Sequence, residues 1–209
     1  MYPVMLDLRG RVVLVVGAGP IATRKADGLV GEGAHVRVVA PEISPDMATF
    51  AASHPSAVTV AERRYEAGDL VGVRLVFTAT NDLAVQQAVF DDGERLGVWV
   101  NAADDPDRCA FILPAVHRSG VVTVAVSTGG ASPALAQYLR DRMRDALPAD
   151  LDALVAELSE QRAGFKARGE STESIDWRPI IQELLDQSAG TLGTAGVRPA
   201  VEADRSDEA

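Results

Sequence analysis

The stretch VVLVVGAGPIATRKADGLV, residues 12–30, constrains the fold of this chain more than any other segment. Its apolar, mostly β-branched start is typical of a buried strand, and Gly17 ends that run. Apolar residues then recur with helical spacing from Ile21 to Val30, up to a stop at GEGA. The segment therefore predicts a strand, a tight turn and a helix in direct succession.

The same alternation continues downstream. The sequence predicts further strands at residues 35–41, 57–62, 74–80 and 98–102, and a helix over residues 82–97. Strands that alternate with helices at this pitch indicate parallel pairing with helical crossovers. We therefore expect an α/β fold, a Rossmann-type doubly wound parallel sheet.

The regular alternation of predicted strands and helices ends after residue 112. A strand is predicted at residues 121–128, followed by a helix that Ser132 caps and Pro133 begins. Two more helices are predicted at 151–167 and 175–187, and the Gly-, Thr- and acid-rich end predicts disorder. We expect a sheet domain at 1–112, a second region at 113–149, a small helical domain at 150–189 and a tail at 190–209.

Composition excludes several classes of function. The net charge of −10 argues against nucleic acid as a partner, because phosphate binding requires a concentrated basic face. One cysteine excludes an internal disulfide, and no apolar run reaches the roughly 20 residues of a membrane span. No Cys/His spacing typical of a resident metal is present. The first ten residues lack the features of a signal peptide, so we expect a cytoplasmic protein.

The glycine turn itself suggests a ligand. Gly17, Gly19 and Ala22 match the G-x-G-x-x-G/A fingerprint, which permits a sharp turn and close approach of the backbone to a pyrophosphate. The N–H groups at the start of the following helix then face the phosphates. The pattern predicts a dinucleotide site, with a plain tight turn as the alternative.

The acidic residue that usually binds the cofactor ribose is not at its expected place. Ala40 and Pro41 end the second predicted strand, and Glu42 lies just beyond them. Glu42 is therefore the candidate substitute. No arginine directly follows the strand to hold a 2′-phosphate, which favours NAD over NADP.

Four motifs together resemble one family. In chain order they are GAGPIATRKADGLVGEGAHVRVVAP, FTATND, VNAADDPDRCAFILPA and VAVSTGGASPALAQYLRDRM. They resemble the precorrin-2 dehydrogenase family of siroheme and cobalamin biosynthesis, over about residues 4–148. The resemblance implies NAD-dependent oxidation of precorrin-2 to sirohydrochlorin by a homodimer, whose second region dimerises and helps to form the substrate cleft. Some relatives also insert Fe²⁺ into sirohydrochlorin.

The resemblance also implies roles for particular residues. The key carboxylate of the N-x-x-D-x-P segment is Asp104, which we expect to accept a proton during the oxidation. The expected cofactor-binding residues are Gly17, Gly19, Pro20, Ile21, Ala22, Ala40, Pro41, Glu42 and Thr80. The expected substrate-binding residues are Asn101, Ser127, Thr128, Gly129 and His117. The basic side chains of the sequence are the candidates for the remaining substrate carboxylates, with a surface charge as the alternative for most of them: Arg24, Lys25, Arg108, His117 and Arg118, followed by Arg140, Arg142 and Arg144.

Each of these assignments has a structural alternative. Asp104 and Asp105 also suit a turn before Pro106, and Ser132 with Pro133 also suits an ordinary capped helix. His117 also suits an exposed loop near a turn, and Cys109 a small buried hydrophobic position. For the whole chain, the alternatives are an additional ferrochelatase activity and an NAD-sensing regulatory dimer.

Overall fold

The computed structural model describes residues 1–103, 105, 108–148, 150–173 and 175–191. The chain divides into two compact units. The first contains Met1–Pro114 and Ser127–Ser132, and the second contains Ala115–Val126 and the chain from Pro133 onward. No helix in these described ranges combines the length and the hydropathy needed to cross a bilayer.

Five strands of the described first unit form one parallel sheet in the order β3-β2-β1-β4-β5. The strands are β1 (Val12–Val16), β2 (His35–Ala40), β3 (Val58–Glu62), β4 (Leu75–Thr78) and β5 (Trp99–Ala102). The helices of this unit are α1 (Pro20–Gly31), α2 (Pro45–Ser53) and α3 (Leu83–Leu96), with a 3₁₀ turn at Ala67–Leu70. The predicted Rossmann-type sheet is confirmed, and its strand order reverses between β1 and β4, where such sheets bind ligands.

Side chains of β1 alternate between two cores. Val13 and Val15 pack in the cluster that contains Ala26 of α1 and Met47 of α2. Leu14 and Val16 pack in the opposite cluster, which contains Val89 of α3. Helices therefore cover both faces of the sheet, which is why β1 is apolar along its whole length.

Local signals define α3 and its distance from the sheet. The Asp82 carboxylate caps the helix by accepting from the N–H groups of Ala84 and Val85, at 3.0 and 3.2 Å. A Cβ at Gly93 would lie only 2.4 Å from a methyl carbon of Val100 on β5. The absence of a side chain at Gly93 therefore allows α3 to pack closely against β5.

The described second unit begins with an antiparallel hairpin of β6 (Ala115–Ser119) and β7 (Val122–Val126), against which α4 (Pro133–Ala146) packs. Helices α5 (Leu151–Ala167) and α6 (Arg178–Thr191) contact each other. Between them the Phe165 and Trp177 rings meet edge to face, with centroids 5.8 Å apart.

Several sequence-based expectations for this unit need correction. The predicted strand 121–128 covers only Val122–Val126, so Ser127 and Thr128 follow the strand. Strand β6 was not predicted, because AVHRS has no apolar alternation and becomes extended by pairing with β7. His117 is therefore central in a strand, opposite Val124, and not in a loop near a turn. Helix α5 has the predicted bounds, whereas α6 begins at Arg178 and not at residue 175. The tail from residue 192 lies outside the described residues.

Candidate cofactor and catalytic site

The turn between β1 and α1 requires glycine at its first position. Gly17 has a φ of +116°, and a Cβ there would lie 2.2 Å from the carbonyl oxygen of Ala79. Its N–H donates to the carbonyl of Val39 at 2.9 Å. The turn is therefore packed directly against the end of β4, and no L-residue with a side chain fits.

Gly19 plays a different part in the same turn. It is the N-cap of α1 with an ordinary φ of −84°, and a Cβ on it would meet no neighbouring atom within 4 Å. Among the described residues, no side chain caps the N–H groups of this first turn, and Pro20 follows at the start of the helix. An open helix N-terminus with free N–H groups fits the pyrophosphate of a dinucleotide.

A cleft of about 290 Å³ lies at this end of the sheet. It is lined by residues from three segments: Ile21 of α1, the stretch after β4, and the stretch after β5. The lining residues are Ile21, Ala79, Thr80, Asn81, Leu83, Gln86, Ala103 and Asp105. The glycine-turn helix and the loop that follows β5 thus meet at one cleft, at the topological switch point.

The rim of the cleft formed by Thr80 is held in place by α3. The buried amide of Gln86 donates to the Thr80 carbonyl at 2.6 Å. The Thr80 hydroxyl accepts from the N–H of Asp82 at 3.2 Å. Thr80 therefore presents a fixed backbone to the cleft.

The loop after β5 is anchored at its base by Asn101, which is 7% exposed. Its Nδ2 donates to the carbonyl of Phe111 at 2.9 Å, and its Oδ1 accepts from Nζ of Lys25 at 3.3 Å. Asn101 also pairs with Cys109 in an isolated antiparallel bridge. The amide expected to bind substrate is engaged in closing the loop.

Cys109 contributes to the same closure. Its thiol donates toward the carbonyls of Asp105 and Ala102, at 3.2 and 3.3 Å. Burial raises the pKa of the Cys109 thiol above its ordinary value, which keeps it protonated. Cys109 is half-buried. Its thiol therefore serves as a hydrogen-bond donor in the loop.

The expected catalytic carboxylate, Asp104, lies outside the described residues, as does Pro106. Its two neighbours in sequence, Ala103 and Asp105, both line the cleft. Asp105 forms an ion pair with Arg108. Arg108, a sequence-based candidate for the substrate carboxylates, is thus engaged by this loop.

The STGG turn is stabilised from within. The Thr128 hydroxyl donates to the carbonyl of Ser132 and accepts from its N–H, both at 3.0 Å. The Ser127 hydroxyl accepts from the N–H of Gly129, whose φ of +65° is left-handed. Both hydroxyls expected to contact substrate already hold the shape of the turn.

Three other expected residues end or follow β2. Ala40 is buried at the end of β2, and Pro41 and Glu42 are exposed just after it. None of these three is among the residues described as lining the cleft. His117 belongs to the second unit. Sequence reasoning missed Gln86 and Gln87, although two adjacent amides inside the apolar run LAVQQAV were a usable signal.

Comparison with known proteins agrees with this architecture. Residues 4–115 match a family model of NAD(P)-binding domains, and residues 120–146 match the central region of sirohaem biosynthesis proteins. The solved structure of SirC, a precorrin-2 dehydrogenase, superimposes with a TM-score of 0.67 at 30% identity, covering 91% of this chain and 100% of that one. The chain belongs to the precorrin-2 dehydrogenase family.

Family members of greater length are also similar. Siroheme synthase 2 of Aeromonas hydrophila is 42% identical over 157 residues, which are 75% of this chain and 32% of that protein. Siroheme synthase of Gluconacetobacter diazotrophicus is 40% identical over 203 residues, covering 95% of this chain and 42% of that protein. The chain thus spans less than half the length of these two relatives.

Proposed function

We propose that this chain is an NAD-dependent dehydrogenase that oxidises precorrin-2 to sirohydrochlorin in tetrapyrrole biosynthesis. The observation that carries the proposal is the shared cleft. Ile21, two residues after the N-cap Gly19, lines it together with Ala103 and Asp105, which flank Asp104 in sequence. The oxidant and a proton acceptor would then act on one substrate.

The chain's own residues fit NAD. Gly17 allows the turn, Gly19 leaves space before the helix N-terminus, and the N–H groups of α1 would hold the pyrophosphate. Thr80 and Ile21 would line the path of the cofactor toward the loop after β5. Glu42, exposed past β2, is the proposed ribose partner. When bound, NAD supplies the acceptor for the hydride.

Asp104 is the proposed base. Loss of a hydride from a tetrapyrrole carbon requires loss of a proton as well, and a positioned carboxylate accepts it. Support comes from the loop itself, since Asn101 and Cys109 close its base. Asp105 is the poorer base because its carboxylate is paired with Arg108.

The substrate and the assembly are proposed together. Ser127–Ser132 belongs to the same compact unit as the cleft, which supports a role for the backbone of Gly129 and its neighbours in substrate binding. A homodimer through region 113–149 is supported by apolar side chains that α4 leaves exposed: Leu135, Tyr138, Leu139 and Met143. A cytoplasmic location is part of the same proposal.

The test is to mix the chain with NAD and enzymatically generated precorrin-2 and to record the absorbance of NADH and sirohydrochlorin. Both products should appear with the wild-type chain. Asp104→Asn and Asp104→Ala should lose at least about 100-fold in turnover, as expected for removal of a general base, while they retain NADH binding. Absence of both products with the wild-type chain would overturn the proposal.

The same preparation separates the alternatives. An NAD-sensing dimer would bind NADH and yield neither product, and Asp104→Ala would leave its binding intact. A ferrochelatase activity would yield siroheme from sirohydrochlorin and Fe²⁺ without NAD. The names of the siroheme synthase relatives make this second assay worthwhile.

A further inference from the structure

The loop after β5 contains an arginine that is held from two sides. The guanidinium of Arg108 forms an ion pair with Asp105, and the Arg108 N–H donates to the Asp105 carbonyl at 3.2 Å. Its Nε also donates to Oε1 of Gln87 on α3, at 2.8 Å. Gln87 Nε2 donates to Asp91 at 2.8 Å, which turns the amide oxygen toward Arg108. The position of the Arg108 side chain is therefore fixed by contacts with both Asp105 and Gln87.

This ion pair is better shielded from water than most of the described pairs. The side chains of Arg108 and Asp105 are 29% and 21% exposed, whereas those of Arg9 and Asp7 are 81% and 61% exposed. Asp105 also lines the cleft. A carboxylate at this position would repel an anionic ligand strongly if it had no partner, because partial burial weakens solvent screening.

We propose that Arg108 neutralises Asp105 at the rim of the cleft and thereby allows an anionic dinucleotide to bind. The inference rests on the NAD part of the proposed function and not on the identity of the tetrapyrrole. Arg108 is a positioning residue in this role, because it acts on the ligand through Asp105. The Arg108–Asp105 pair has no net charge, whereas Asp105 alone would add a negative charge at the cleft and Arg108 alone a positive charge.

The test is a double-mutant cycle read by NADH fluorescence, without any substrate. Arg108→Met should weaken NADH binding about fivefold or more, since it leaves the Asp105 carboxylate unpaired. Asp105→Asn should tighten binding about twofold, because it leaves the cation unpaired. The double variant should return to within about twofold of the wild-type affinity, and Arg108→Lys should stay within about threefold.

Two further measurements distinguish an electrostatic effect of Arg108 on the ligand from a purely structural role of Arg108 in the loop. The effect of Arg108→Met should shrink as salt rises from about 0.05 to about 0.5 M, because added ions screen the repulsion. Arg95→Met is the matched control, since Arg95 pairs with Asp92 at the far end of α3 and its loss changes the net charge equally. This control should leave NADH affinity unchanged.

Specific results would overturn the inference. If the double variant binds NADH as weakly as Arg108→Met, or if Arg108→Met binds like the wild type, Arg108 does not act by neutralising Asp105. If Arg108→Met fails to fold, Asp105→Asn is compared with the double variant, and equal NADH affinities of these two chains would overturn the inference. If the wild-type chain binds no NADH, the cofactor assignment is overturned as well, which distinguishes that failure from the others.

Discussion

The side chain of Lys25 on α1 donates a 3.3 Å hydrogen bond to the side chain of Asn101 on β5, 76 residues away in sequence. The same ammonium lies 4.9 Å from the centre of the Phe77 ring on β4. Helix α1 begins at the glycine turn, and β5 leads into the segment that contains Asp104. This contact therefore ties the proposed cofactor-binding element to the base of the proposed catalytic loop.

Replacing Asn101 tests the importance of its hydrogen bond with Lys25. Asn101→Leu should lower the free energy of unfolding by about 2 kcal/mol, because it leaves the Phe111 carbonyl and the Lys25 ammonium without this partner. Urea unfolding measures the change. Lys25→Met keeps the apolar stem over Phe77 and should cost less. An Asn101→Leu chain as stable as the wild type, with unchanged turnover, would contradict the role of Asn101 as an anchor.

The two glycines of the first turn should respond differently to alanine. Gly17→Ala should reduce folding stability, since its Cβ would collide with the Ala79 carbonyl and its φ is +116°. Gly19→Ala should leave the fold within about 1 kcal/mol of the wild type and weaken NADH binding at least about tenfold, because the methyl group occupies space left for the ligand. Thermal unfolding and NADH titration of both variants measure these effects. Unaltered NADH affinity in Gly19→Ala would argue against a pyrophosphate at this helix.

The hydroxyl of Thr78 offers a stability test next to the cleft. It is fully buried at the end of β4 and has no hydrogen-bond partner among the described residues. Thr78→Val keeps the shape and removes the buried polar atom, so it should stabilise the chain by about 1 kcal/mol. Thr128→Val is the contrasting variant, because that hydroxyl makes two hydrogen bonds, and it should destabilise. Chemical denaturation of both variants gives the comparison, and a loss of stability in Thr78→Val would show that the hydroxyl has a partner in solution.

Asp69 predicts part of the acid sensitivity of the fold. Two hydrogen bonds from the Arg63 guanidinium, at 2.6 and 2.9 Å, hold the pKa of Asp69 below its ordinary value. A carboxyl whose pKa is lower in the folded chain adds stability above its unfolded pKa of about 3.9, and this stability is lost as pH falls through the folded pKa. Asp69→Asn should therefore cost about 1 kcal/mol near pH 7 and less near pH 2. Unfolding midpoints of wild type and variant across this range measure the difference; equal losses at both ends would contradict the assignment.

Much of the first unit was predictable because its signals are local. The apolar run before Gly17, the cap at Asp82 and the glycine after α3 each mark a boundary in the chain itself. Asp150 likewise caps α5, since its carboxylate accepts from the N–H of Ala153 at 3.2 Å. Strand β6 escaped prediction because its residues are half-exposed and mixed in character, and only β7 makes them a strand.

The amino-acid sequence alone determined the Rossmann-type fold, the glycine turn and the family resemblance, because periodicity and motif spacing are properties of neighbouring residues. Only the tertiary structure decided which polar side chains already have partners. Asn101 and Arg108 were expected to contact the substrate, and each is hydrogen-bonded to a side chain distant in the chain, Lys25 and Gln87 respectively. A hydrogen bond between groups distant in the chain depends on three-dimensional distance, and no local pattern of residue types encodes that distance.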